Sequence, residues 1–134
     1  MSTPDIPTSS TPSGVSLTLD ITDLESATSF WTAALTGHVR TREKPGTLGE
    51  QRVLVFDDAP GLSLRLRWCW PRATVGTTPG GIREIEVAVD DPGAVRARIE
   101  SCEGVSVTQE PGEGCGALKL VDSQGYAVVF RGRA

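Results

Sequence analysis

The chain has 134 residues, 38% of them hydrophobic and 22% charged, with a formal net charge of -4. That length suits one domain with an adequate core, and an acidic balance without basic runs argues against a nucleic-acid partner. No apolar stretch approaches the roughly 18–20 residues of a membrane span.

Residues 1–14 are almost entirely Ser, Thr, Pro and Gly, with little to bury, and read as a disordered tail. They lack the basic and apolar regions of a secretion leader. Three cysteines, Cys69, Cys102 and Cys115, are an odd number without metal-ligand spacing. A cytoplasmic protein with reduced thiols is expected.

Ser16–Thr22 alternates apolar and polar residues and predicts a strand. Asp23 follows as a helix N-cap, and Leu24, Ala27, Phe30, Trp31, Ala34 and Leu35 form one apolar stripe to about Thr36. Gly37 stands where a terminating C′ glycine is expected. Strands follow at His38–Arg42, Gln51–Phe56 and Leu62–Trp70. After a Thr/Gly/Pro linker at 72–81, Arg83–Val89 is a strand, Asp91 an N-cap and Pro92 the first helical residue. Val95, Ile99 and Cys102 mark a thin helical stripe ending at Gly104, with Arg98 on its exposed side. Val105–Gln109, Ala117–Val121 and Tyr126–Arg131 complete the pattern.

The second half therefore repeats the first. Leu17–Asp23 is echoed by Ile85–Asp91 at an offset of 68 residues, and Gly61–Arg67 by Gly125–Arg131 at 64. The fold expected is α+β: two β-α-β-β-β modules, 16–71 and 82–132, within a single domain 15–134. Function is expected between the two pseudo-symmetric halves.

Strand alternation sorts core from cleft. Leu17, Leu19 and Ile21 face a helix, which sends Ser16, Thr18 and Asp20 to the other side. Leu62, Leu64 and Leu66 leave Ser63, Arg65 and Arg67 there, and Ile85, Val87 and Val89 leave Glu84, Glu86 and Ala88. Ala127, Val129 and Arg131 join them from the last strand. The rows Arg65/Arg67 and Glu84/Glu86 have two readings. Arg65 binds an acidic or carbonyl oxygen of a ligand, since guanidinium geometry suits anions, or it pairs with Glu84 or Glu86 in a solvated ion-pair row. Trp68 and Trp70 share a face, and either stack on a planar ligand or serve core or dimer packing. His38, the only histidine, is a general base or a structural residue. Gly112–Gly116 lacks the phosphate-loop ending and reads as a hairpin over the cleft.

The tandem β-α-β-β-β order, with Phe30-Trp31 then Leu35-Thr36-Gly37 in the first helix and Asp122-Ser123-Gln124-Gly125-Tyr126 in the last turn, resembles the vicinal oxygen chelate superfamily, which includes glyoxalases, dioxygenases and bleomycin resistance proteins. The resemblance covers about residues 16–132. It implies an open barrel-like cleft, commonly completed by a homodimer. In the superfamily's enzymes a divalent metal sits there, and the ligand positions carry over to Ser16, Arg65, Glu84 and Val129. Only Glu84 is a plausible donor, so no metal or other cofactor is expected. The resemblance implies a metal-independent binder of a small organic molecule, sequestering an antibiotic or metabolite. The alternative is a metal-free isomerase, cyclase or lyase with Glu84 or Glu86 as base and Arg65 steadying an oxyanion.

Overall fold

A computed structural model describes residues 14–43, 50–68, 84–112 and 116–133. Most of the tail, the linker, Trp70, Cys69, Cys115 and the tip of the Gly112–Gly116 loop lie outside them. The element order is β1 (Val15–Ile21), α1 (Leu24–Ala34), β2 (Gly37–Glu43), β3 (Gln51–Phe56), β4 (Leu62–Trp68), β5 (Ile85–Val89), α2 (Pro92–Arg98), β6 (Ser106–Gln109), β7 (Leu118–Val121) and β8 (Ala127–Gly132). These form two four-stranded mixed sheets, ordered β1-β4-β3-β2 and β5-β8-β7-β6.

The repeat extends to the hydrogen-bond register. Leu17 pairs with Leu64, and Leu64 with Leu54, across β1, β4 and β3. In the second module Ile85 pairs with Val128, and Val128 with Leu120. Even the irregularity repeats, because the β2–β3 register shifts between Val39 and Thr41 and the β6–β7 register between Val107 and Gln109. Both N-caps are as expected: Asp23 accepts from the Ser26 N–H and Asp91 from the Gly93 N–H. The second helix is shorter than its stripe suggests. Its cap is Ile99, and residues up to Gly104 continue as turns.

Each sheet packs its apolar face against the helix side and leaves the other face open. Leu19, Leu54, Leu64, Leu66, Val128 and Phe130 are fully buried, together with Ala27, Phe30 and Trp31 of α1. Each large side chain buried in this way is worth about 1.5–3 kcal/mol. Both modules share one core. Trp31 meets Phe30 edge-on at 5.1 Å and Phe130 of β8 at 6.2 Å between ring centroids. The Trp31 Nε1–H is buried without a hydrogen-bond partner among the described residues, an expense of about 1–3 kcal/mol that the aromatic packing offsets.

Both ends of α1 are held by the second module. At its N-terminus the Gln124 side-chain carbonyl accepts from the Thr22 N–H at 2.8 Å, the Thr22 hydroxyl at 3.0 Å and the Asp23 N–H at 3.2 Å. Ser123 and Ser26 hydroxyls meet at 2.8 Å, and the buried Tyr126 hydroxyl donates to the Asp20 carbonyl at 3.0 Å. The turn is set by Asp122, whose Oδ1 accepts from the Gln124 and Tyr126 N–H groups, both at 2.9 Å. Burial pushes the Asp122 carboxyl above the usual carboxylate range, against the pull of those amides.

At the C-terminus, α1 has no basic residue in its own last turn. Arg98 of α2 supplies one. Its guanidinium donates to the Ala33 carbonyl at 3.1 Å and the Ala34 carbonyl at 2.9 Å, and pairs with Asp58. Arg98 is therefore not the idle exposed residue that helix periodicity suggests. The left-handed position after the helix also differs from expectation. Thr36 takes it, with φ 52°, whereas Gly37 already begins β2. Gly37 is needed for space, since a Cβ there would stand 2.4 Å from the Phe56 ring and 2.7 Å from the Val55 carbonyl.

Arg52 is the departure from the repeat inside the core. It occupies the row of Leu66 in module one that Leu118 occupies beside Phe130 in module two, and it is buried. Its charge is matched by Glu25 of α1 at 2.6 Å and by Glu50 at 2.8 Å, with Thr28 Oγ1 accepting at 3.1 Å. The hydrogen bond from Arg52, then its charge, hold the exposed Glu25 carboxyl below the usual range. No helix among the described residues is long and apolar enough to cross a membrane.

Two outcomes are predicted. Arg98→Ala should lower unfolding stability by about 1–3 kcal/mol, because it strips donors from the last carbonyls of α1; urea titration measures this, and Arg96→Ala, whose partners lie outside on Glu110 and Glu100, should matter less. Arg52→Leu should stay folded, since the second module already accepts Leu at this row. A depressed carboxyl stabilises the fold above its unfolded value of about 4.3 and loses that contribution as pH falls through its folded value. Urea midpoints across an acid series should therefore decline less steeply in Arg52→Leu than in wild type.

Candidate functional site

The open face of module one is built in cross-strand rows. His38, Val55, Ser63 and Ser16 form one, Thr41, Val53, Arg65 and Thr18 the next, and Glu43, Gln51, Arg67 and Asp20 the last. The alternation that buries Leu64 and Leu66 fixes Arg65 and Arg67 here. β3 is apolar on both sides, so Val53 and Val55 form an apolar floor beneath polar side chains.

Every arginine expected on this face is held by an acid or amide. Arg65 Nη1 donates to Glu43 Oε1 at 2.8 Å and to Gln51 Oε1 at 2.9 Å. Arg67 donates through Nε to Asp20 Oδ1 at 2.7 Å. On the open face of module two, Arg131, the repeat partner of Arg67, pairs with Glu86. The carboxylate partner of Arg65 is therefore Glu43 of its own sheet, and the expected pairing with Glu84 or Glu86 is replaced by this one. Glu84 is exposed at the entry to β5. Val129 is buried between Glu86 and Lys119 in the ladder, giving module two an apolar centre.

Trp68 departs from the expected site. It pairs in register with the buried Ile21, shares the phase of Leu64 and Leu66, and donates through Nε1 to the Thr22 carbonyl at 3.1 Å. It stands on the helix side of the strand end, so it does not flank Arg65. Trp70 lies outside the described residues.

The superfamily's metal positions fall on Ser16, Arg65, Glu84 and Val129, which offer one carboxylate, one hydroxyl, one ion-paired cation and one buried aliphatic. These residues do not fit a divalent metal, which needs several His, Cys or carboxylate donors converging. Among the described residues no group of three such side chains gathers anywhere. His38 is exposed at the far edge of the sheet from Ser16, three strands away.

Among the described residues, three depressions bear on the site. One of about 220 Å³ lies on the open face, between Ser16, Ser63 and Arg65 on one side and Arg40, Thr41 and Glu43 on the other. A groove of about 460 Å³ runs between the β1 and β5 edges, along Val15, Leu17, Ile85 and Val87. The third, about 510 Å³, lies between the helices beside Ser26, Ser29 and Cys102. Burial pushes the Cys102 thiol up, away from reactivity. Arg40, Glu43 and Gln51 are site residues that sequence reasoning missed. The sequence pattern ends this strand at Arg42, and nothing in it marks the register shift that brings Arg40 to this face.

No protein-family model matches the chain, and no curated protein matches it significantly. Solved structures do. A glyoxalase/bleomycin resistance protein/dioxygenase domain from Frankia sp. EAN1pec is 25% identical, with TM-score 0.67 over 90% of this chain and 96% of that one. TnmS3, an antibiotic binding protein from Streptomyces sp. CB03234, is 21% identical, with TM-score 0.65 over 90% and 95%. The fosfomycin resistance protein FosX from Mesorhizobium loti is 12% identical, with TM-score 0.64 over 87% and 88%. The duplicated modules, their shared register and these likenesses agree: this chain has the fold of the glyoxalase/bleomycin resistance proteins, the fold that its resemblance to the vicinal oxygen chelate superfamily implies.

Proposed function

We propose that this chain binds a small organic molecule without a metal, sequestering an antibiotic or metabolite. The observation that carries the reading is the chemistry of the superfamily's ligand positions. Where a metal site needs converging donors, this chain has Arg65 bonded to Glu43 and a buried Val129. Fixed cation–acid pairs over an apolar floor suit recognition of a ligand with oxygen acceptors. The likeness to TnmS3, itself described as an antibiotic binding protein, supports the same reading. The enzymatic alternative is weaker, because Glu86 is engaged by Arg131 and Arg65 stands on the other module's sheet. The setting proposed is the cytoplasm.

The test is equilibrium titration with a co-purified or library ligand. One-to-one saturable binding is expected, with no stoichiometric metal by elemental analysis. Arg65→Leu should weaken binding by about 1.5–3 kcal/mol, the range of a charge-assisted hydrogen bond. Equal affinity in both proteins would reduce Arg65 to a structural ion pair.

The same reading makes the protein a homodimer. The sheets do not close into a barrel, and β1, β2, β5 and β6 are all edge strands, which proteins ordinarily cover. Light scattering at micromolar concentration should give twice the chain mass; a monomer mass at up to millimolar protein would remove this part of the proposal.

A further inference from the structure

The geometry points to an oxyanion site in the depression at the β2 irregularity: it takes the carboxylate or phosphonate end of a small ligand, and Glu43 occupies the place of that anion until the ligand arrives. This rests on reading the open face of module one as a ligand surface.

The backbone supplies the first argument. Val39 pairs with Leu54 and Thr41 with Val53, so Arg40 is the extra residue of a bulge. A bulge re-aims side chains and breaks the alternation of faces. As a result Arg40 and Thr41, consecutive in sequence, both line one cavity. Module two has its bulge at the equivalent place, where the extra residue is Thr108. The bulge thus belongs to the architecture, and the cation within it belongs to module one alone.

The side chains supply the second. Arg65 spends only Nη1 on Glu43 and Gln51. Its Nε and Nη2 donors make no hydrogen bond among the described residues, which leaves an edge of the guanidinium for a bidentate anion. Arg40 has no ion-pair partner among the described residues. Two guanidinium groups thus face one small cavity that holds a single carboxylate, with the hydroxyls of Ser16, Ser63 and Thr41 as further donors. Glu43 is half exposed, at 48% of its side chain, so its departure disturbs no packing. A cavity of about 220 Å³ is smaller than the roughly 300 Å³ or more that encloses a drug-sized ligand. It therefore holds the acidic end of a molecule whose remainder lies outside it.

Calorimetric titration of the full chain with phenylphosphonate and with benzoate tests this, with neutral benzyl alcohol as the comparison. The anions should bind one to one and benzyl alcohol at least about tenfold more weakly. Arg40→Ala should weaken phenylphosphonate about tenfold, while Arg40→Lys keeps most of the affinity. Glu43→Gln removes the internal competitor and should tighten binding about threefold or more, with the thermal midpoint unchanged. Unaltered affinity in both Arg40→Ala and Glu43→Gln would overturn the oxyanion site, as would absence of anion binding in wild type and Glu43→Gln alike. If benzyl alcohol binds as tightly as the anions, the ligand surface stands and the oxyanion site falls.

Discussion

The relative placement of the two sheets depends on how α1 is tied at both ends by groups from the opposite module. Gln124 gathers three donors around the start of α1, and Arg98 gathers its last carbonyls. Helix termini leave backbone groups without internal partners, so these contacts satisfy a requirement that exists in any case. Module two meets it for module one. Between the two ends, Phe30 and Trp31 press on Phe130, so polar end-ties and apolar middle act on the same element. Loosening either tie would free α1 to shift over the shared core, and with it the angle between the two open faces.

Those faces differ in composition despite the common register. Module one presents arginines, carboxylates and hydroxyls over two valines. Module two presents Ala127, the buried Val129 and Ala88 among Lys119, Gln109 and the Glu86–Arg131 pair. A duplicated architecture has been divided into a polar half and a more apolar half. A molecule with an oxygen-rich end and a hydrocarbon body matches that division without any metal to orient it.

Much of this was legible in the text of the chain. The offsets of 68 and 64 residues carry the two-module fold, and the leucines of β1 and β4 orient Arg65 and Arg67 without ambiguity. Where legibility failed, the cause was local. β3 reads Gln-Arg-Val-Leu-Val-Phe, apolar in both phases, so alternation does not reveal that Arg52 points inward. A bulge leaves no mark in composition, which hid Arg40. Arg98 looks exposed on a helical wheel, because the wheel does not know that another helix ends beside it. Trp68 continues the phase of Leu64 and Leu66, so the period itself argues against placing it beside Arg65.

The bulge in β2 also bears on how such a surface evolves. In a strand, parity decides which face a side chain occupies, and a one-residue slip inverts every residue beyond it. Loss of a single codon at Arg40 would restore regular pairing with β3 and remove the extra cation in one step. Gain of one would move Thr41, Arg42 and Glu43 together to new partners along β3. Since both modules keep the irregularity in the same place, each carries a hinge of parity at which an insertion or deletion rewrites several contacts at once, while the buried rows of leucine behind it stay in register.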